Sequence, residues 1–416
     1  MAAPQTPVSS SRFPYFALIT LAVAVFMSVT IEMLPTGLLP EMSHQLGVSE
    51  SEIGVTVSVF AFTVVLSSAP LTALTRRLPR HALVVGVLVI FVASALLTAL
   101  APNYPVLVLS RILGGLAHGV FWSVVGAYSA YLVPKEQLGR AVSITLGGGS
   151  LAFVLGVPLG TALGGAVGWR LSFVILAALT FVAAGFVYRF LPRVDHLSTS
   201  TLVGTSTGSI TVLTEEFAGD EEPRRDHSVT AVVFVCVITA ITMLGQYCFY
   251  TFIAPYLVRA VGLHESAVGP VLFLYGAAGA VSLVLVAVWL GRRPRLGLMA
   301  GLVLILCTTL TLAIVPRMVP LALSAFFLWG LAMGALPPLL QTRLLHAAPA
   351  RIRDASSAFY TSAFNVGIGG GALVGSIVLA GLGLSALPWV YVGVLLFSIA
   401  LVIASDALLR RRPSNR

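Results

Sequence analysis

The chain has 416 residues, 58% of them hydrophobic and only 9% charged, against about a quarter charged in ordinary soluble domains. That balance excludes a soluble core and leaves the formal net charge of +9 to be explained by where the basic residues lie. Cys236, Cys248 and Cys307 sit inside apolar runs without metal-ligand spacing, which excludes a disulfide framework and a zinc site.

From the amino terminus onward, apolar runs of about twenty residues alternate with short polar punctuation, the length a helix needs to cross a hydrocarbon core of about 30 Å. The run from Pro14 to Leu34 is too long for a signal-peptide core and lacks a small-residue cleavage site, so it reads as the first span. The predicted spans are 14–36, 54–75, 82–101, 105–130, 141–165, 171–191, 229–254, 267–290, 296–315, 319–342, 355–380 and 386–409. Between the sixth and seventh lies the one long hydrophilic stretch, 192–228, rich in Ser, Thr, Gly and acids and too poor in bulky apolar groups to bury a core. The expected architecture is therefore an all-α membrane protein with a six-helix bundle in 1–191, a linker in 192–228 and a second six-helix bundle in 229–416.

With twelve spans both termini share a side. Twenty Lys and Arg residues flank the spans on that side, and only Arg170, Arg259 and Arg317 flank them on the other. The positive-inside rule then puts both termini and the linker in the cytoplasm, with the protein in the plasma membrane. Basic residues spread over loops held apart by spans also exclude a nucleic-acid surface.

Sliding the sequence on itself by 215 residues brings identities into one ungapped register. Pro40, Gly47, Glu50, Ser51 and Gly54 fall on Pro255, Gly262, Glu265, Ser266 and Gly269; Arg77, Pro79, Arg80 and Gly86 fall on Arg292, Pro294, Arg295 and Gly301. Gly115-Leu116-Ala117 falls on Gly330-Leu331-Ala332, and Gly156 and Gly160 on Gly371 and Gly375. Matched Gly, Pro, Glu and Arg in five regions point to a tandem duplication. Two parallel repeats related by an axis along the membrane normal are an established transporter plan, with the site between them near the midplane.

Four segments carry a family resemblance: Ile31-Glu32-Met33-Leu34-Pro35-Thr36-Gly37-Leu38-Leu39-Pro40; Ala69-Pro70-Leu71-Thr72-Ala73-Leu74-Thr75-Arg76-Arg77-Leu78-Pro79-Arg80; Arg111 with Gly115-Leu116-Ala117-His118-Gly119; and Leu155-Gly156-Val157-Pro158-Leu159-Gly160-Thr161 with Gly168-Trp169-Arg170. The chain resembles the sugar-efflux and drug:proton antiporter branch of the major facilitator superfamily. The resemblance implies proton-coupled efflux of a small sugar-like or drug-like molecule by alternating access. It also implies gating or packing roles for Arg76, Arg77, Arg80, Gly156, Pro158 and Gly160, and a proton-transfer role for Arg111. Two departures stand out: the basic loop lacks the superfamily's Asp, and Gly156-Val157-Pro158 replaces the usual Gly-Pro of the fifth-span antiporter motif.

Glu32 is the one acid well inside a predicted span, and an ionisable group there is a functional candidate by default. Arg111 lies at a comparable depth on an oppositely running helix, within geometric reach of Glu32; the alternative is an anchor to backbone carbonyls. His118 follows Arg111 by two helical turns, on a similar face nearer the midplane. Small residues at every fourth place, Gly148, Ala152, Gly156, Gly160 and Gly164, permit close packing of the fifth span. Trp122, Gln246, Tyr250, Trp329, Phe364 and Asn365 are the substrate-binding candidates, aromatic walls with few amides suiting a neutral or weakly polar molecule. No phosphate-binding Gly-x-x-x-x-Gly-Lys-Ser/Thr loop exists, so an ion gradient, with no cofactor, is the expected energy source. The expected partners are protons, a small-molecule substrate and the lipid bilayer, with the chain acting as a monomer. A facilitator or importer on the same fold, or a membrane sensor or enzyme, are the competing readings.

Overall fold

Twelve helices among the described residues are long and apolar enough to cross a membrane. The computed structural model describes residues 13–134, 137–193, 227–290, 294–348 and 352–410. In chain order the first six helices are α1 (Tyr15–Leu46), α2 (Glu50–Thr75), α3 (Arg80–Ala99), α4 (Tyr104–Leu132), α5 (Leu138–Leu151, continued through a π-helical turn, Ala152–Gly156, into Val157–Val167) and α6 (Trp169–Phe190). The remaining six are α7 (His227–Tyr250), α8 (Val268–Val288), α9 (Pro294–Ile314), α10 (Val319–Ala347), α11 (Arg353–Leu382) and α12 (Leu387–Arg410). Most of the expected linker, 194–226, lies outside the described residues.

Local chemistry sets the helix ends. Ser49 opens α2 with a reciprocal capping box: its hydroxyl accepts from the Glu52 N–H, and the Glu52 carboxylate accepts from the Ser49 N–H at 2.8 Å. The Asn103 side chain caps α4 at the Val106 N–H. Among the described residues four glycines have positive φ, Gly47, Gly168, Gly262 and Gly383, and they pair at the repeat spacing, 47 with 262 and 168 with 383. The duplication therefore extends to the backbone conformation of the turns.

The first helix differs from expectation. Instead of closing at residue 36 it runs through Pro35 and Pro40 to Leu46, so α1 reaches well past its predicted end. A proline inside a helix removes the N–H that would serve the carbonyl four residues earlier. At Pro35 another donor reaches the freed carbonyl, as described below.

Glycine governs how the helices meet. A Cβ on Gly148, Gly156, Gly160 or Gly164 of α5 would strike Ala22, Thr30, Leu34 or Leu38 of α1, each partner 126 positions earlier. Such a constant separation means that α1 and α5 run parallel and in register over more than four turns. The second half repeats the device: Gly367, Gly371 and Gly375 of α11 lie on Ala240, Leu244 and Cys248 of α7.

The two halves touch at the end away from the termini. There Gly54 of α2 faces Phe252 and Ser376, Gly369 of α11 faces Ala61 and Phe62, and Gly269 and Gly276 of α8 face Pro158, Ala162, Phe153 and Val154 of α5. Arg259, just beyond α7, pairs with Glu50 at the start of α2 across the same end. Toward the terminal end Leu66 and Leu74 of α2, Val284 and Val288 of α8 and Phe359 of α11 are exposed, and Gly147 of α5 has nothing within 4 Å of a built Cβ.

Candidate functional site

The chemistry of the first half gathers where α4 crosses α1. Pro35 has no N–H to give to the Ile31 carbonyl. Arg111, fully buried on α4, supplies the substitute: one Nη donates to the Ile31 carbonyl at 3.1 Å and the other to the Glu32 carbonyl at 2.7 Å. Its guanidinium also lies 4.4 Å from the centre of the Phe60 ring, an arrangement that favours a cation in a dry setting.

Two turns further along α4, His118 faces the next turn of α1. Its Nδ1 is 2.9 Å from Ser28 Oγ, and its Nε2 is 3.4 Å from Glu32 Oε2. Ser28 and Glu32 are four residues apart and so share a helix face. One turn on from His118, the Trp122 indole N–H donates to the same Nε2. Phe60 of α2 and Phe91 of α3 close over the imidazole, with ring centres 5.3 and 6.1 Å away. Glu32, Arg111 and His118 are all buried, and Glu32 is the only buried acid among the described residues. Trp122 alone is half-exposed. Such a group of ionisable side chains, held out of water and joined by short contacts, is costly in a membrane and is a candidate functional site by default.

Among its described residues the second half has no fully buried charged side chain. Gln246 of α7 is the hub: its amide N–H donates to the Tyr275 hydroxyl at 2.9 Å, and its carbonyl accepts from the Trp329 indole at 2.9 Å and from the Tyr391 hydroxyl at 2.8 Å. One amide thereby ties together α7, α8, α10 and α12. Around it Trp329 stacks on Phe249 at 5.2 Å and meets Tyr250 and Tyr275 edge-on. Tyr247, one residue on from Gln246, is within electrostatic reach of Glu32 across the division between the halves.

The profile of the Major Facilitator Superfamily matches residues 21–227 and 235–416. The chain belongs to the major facilitator superfamily. Its relatives include a protein of Mannheimia succiniciproducens named "Probable sugar efflux transporter", 30% identical over 392 residues and covering 94% of each chain. A Helicobacter pylori protein of the same name is 29% identical over 385 residues, covering 92% of this chain and 94% of its own. In fold the chain is similar to a bacterial homologue of the human lysosomal transporter Spinster, with a TM-score of 0.76 at 16% identity and coverage of 98% and 100%. It is also similar to the peptide transporter POT, with a TM-score of 0.74 at 15% identity and coverage of 98% and 97%. Membership places this major facilitator protein among multi-pass membrane transporters and not among enzymes.

In this superfamily member the residues singled out from sequence fall into three groups. Glu32, Arg111 and His118 come together, but Arg111 binds the backbone of α1 and not the Glu32 carboxylate, because Pro35 leaves a carbonyl for it to serve. Trp122 joins His118 instead of the aromatic residues of the second half. Gln246, Tyr250 and Trp329 share one buried cluster, whereas Phe364 and Asn365 are half-exposed on α11, the Asn365 amide donating to the Thr361 carbonyl of its own helix at 3.0 Å. Arg76 and Arg77 are exposed at the end of α2, and Arg80 opens α3. Gly156 and Gly160 pack on α1, while Pro158 faces Gly269 of the other half. Ser28, Tyr275 and Tyr391 were missed. Ser28, one turn before Glu32, was open to sequence reasoning; the two tyrosines were not, since nothing in spans eight and twelve marks the side they present.

Proposed function

We propose that the protein is a proton-coupled exporter that exchanges protons for a small sugar-like molecule, working by alternating access with both termini in the cytoplasm. The observation that carries this reading is the buried Glu32–His118 contact beside a half-exposed Trp122. An acid and an imidazole out of water, in contact with a half-exposed indole, form a unit that can gain and lose a proton as access alternates. Arg111 holds the α1 backbone at the turn that carries Glu32. The names of the relatives favour a sugar as cargo, and sugars suit a wall of aromatic faces with a few hydrogen-bonding groups. The Lys and Arg asymmetry supports the orientation.

The test uses purified protein in liposomes with a set pH gradient and a panel of radiolabelled monosaccharides. Glu32→Gln mimics a permanently protonated acid. Uphill, gradient-driven transport is expected to collapse, while exchange of labelled for unlabelled sugar, which needs no proton turnover, survives. Uphill transport by the variant with an unchanged dependence on the gradient would remove Glu32 from the coupling.

A further inference from the structure

The bond from Trp122 to His118 has a chemical consequence beyond holding two rings together. An indole N–H only donates, so Nε2 of His118 must be the bare, accepting nitrogen in this state. The proton of the neutral imidazole then sits on Nδ1 and is donated to Ser28 Oγ. A bare Nε2 has one lone pair, and the indole occupies it. Glu32 Oε2, 3.4 Å from the same nitrogen, is therefore close to it without sharing a hydrogen bond.

We infer that Trp122 is a positioning residue for proton coupling: its indole fixes the His118 tautomer and withholds Nε2 from Glu32 until something in the cleft moves it. The inference rests on the reading of Glu32 and His118 as the proton site. When the indole swings away, the O–H bond of a protonated Glu32 can break as an N–H bond forms at Nε2. The acid becomes a carboxylate, the imidazole becomes an imidazolium that keeps its Nδ1–H on Ser28, and no other reactant is needed. The other groups facing this pair are Arg111 beside it, the Phe60 and Phe91 rings and, from the second half, Tyr247. None of these is shown bonded to Nε2. Trp122 is also the member of the group that is half-exposed, so a sugar ring stacking on it has a direct lever on the proton site.

The tautomer can be read without knowing the cargo. Protein labelled with 15N-histidine in lipid nanodiscs gives separate Nδ1 and Nε2 resonances, and His118→Gln identifies which belong to His118. The parent is expected to hold His118 in the Nδ1–H form. Trp122→Phe, which keeps the ring and loses the N–H, is expected to move the tautomer ratio about tenfold toward Nε2–H, the scale of one hydrogen bond. Trp122→Tyr, whose hydroxyl can donate, is expected to restore part of the preference and guards against a Phe variant that fails to fold. An Nε2–H parent, or a ratio unmoved in Trp122→Phe, overturns the inference. Gradient-dependent flux that persists in His118→Gln instead overturns the proton-site reading beneath it, whatever the tautomer does.

Discussion

At the scale of single residues, Arg111 carries two separable roles, and Pro35 allows them to be told apart. Its two Nη groups serve carbonyls of α1, one of which is orphaned because Pro35 has no N–H. Leaving such a group unpaired out of water costs about 1–3 kcal/mol. Arg111→Ala is therefore expected to lower thermal stability in detergent and to abolish gradient-driven transport. Adding Pro35→Ala returns a helical N–H to the Ile31 carbonyl, so the double variant is expected to recover much of the lost stability. If Arg111 also tunes the proton site, transport stays lost. Recovery of both would reduce Arg111 to a backbone anchor, and recovery of neither would show that the carbonyl bonds are not what it contributes. Arg111→Lys offers one compact charge in place of a planar fork and cannot bridge both carbonyls with the same geometry.

At the scale of helices, the small-residue stripe makes a graded prediction. A Cβ on Gly148 would fall 2.0 Å from the backbone carbonyl of Ala22, which cannot yield without moving α1. A Cβ on Gly160 would meet only the end of the Leu34 side chain, at 2.6 Å, and that group can turn aside. Gly148→Ala is therefore expected to cost at least the about 1–3 kcal/mol typical of overpacking and to reduce folded yield, while Gly160→Ala costs less and leaves transport intact. Equal losses of melting temperature in the two variants would contradict the parallel docking of α1 on α5. The stripe was legible in the sequence because glycine spacing needs no partner to be seen, and so were the spans, the duplication and the buried acid. The extension of α1 past Pro35 was not, since the donor that serves the freed Ile31 carbonyl, Arg111, sits about eighty residues away. The union of Trp122 with His118 and the three bonds on Gln246 were hidden for a related reason. These helices are apolar on the lipid side as well as the buried side, so periodicity gives no sign of which way a given residue turns.

At the scale of the whole molecule, the proposed alternating access requires that the closed end open without much cost, and its ion pair is a handle on that balance. Arg259 and Glu50 join the halves at the end away from the termini, with side chains 54% and 18% exposed. A pair this wet contributes at most about 1 kcal/mol, which is about fivefold in the ratio of closed to open molecules. Beneath it, Ser376 is buried against Gly54 and becomes accessible only when this end parts. A cysteine at Ser376, in a variant lacking Cys236, Cys248 and Cys307, reports that parting through its labelling rate with a membrane-impermeant thiol reagent. In intact cells Glu50→Arg and Arg259→Glu are each expected to raise the rate by about fivefold or more, because each replaces attraction by repulsion. The combined swap, Glu50→Arg with Arg259→Glu, restores attraction with the charges exchanged and is expected to bring the rate back toward the parent value. Single reversals that leave labelling unchanged would show that the end is held by apolar packing alone, through the glycine contacts of α2 with α11 and α5 with α8. The same measurement tests orientation. If the closed end faces outward, the reagent reaches Ser376→Cys in intact cells; labelling that appears only after the membrane is broken would place the termini outside and reverse the proposed orientation.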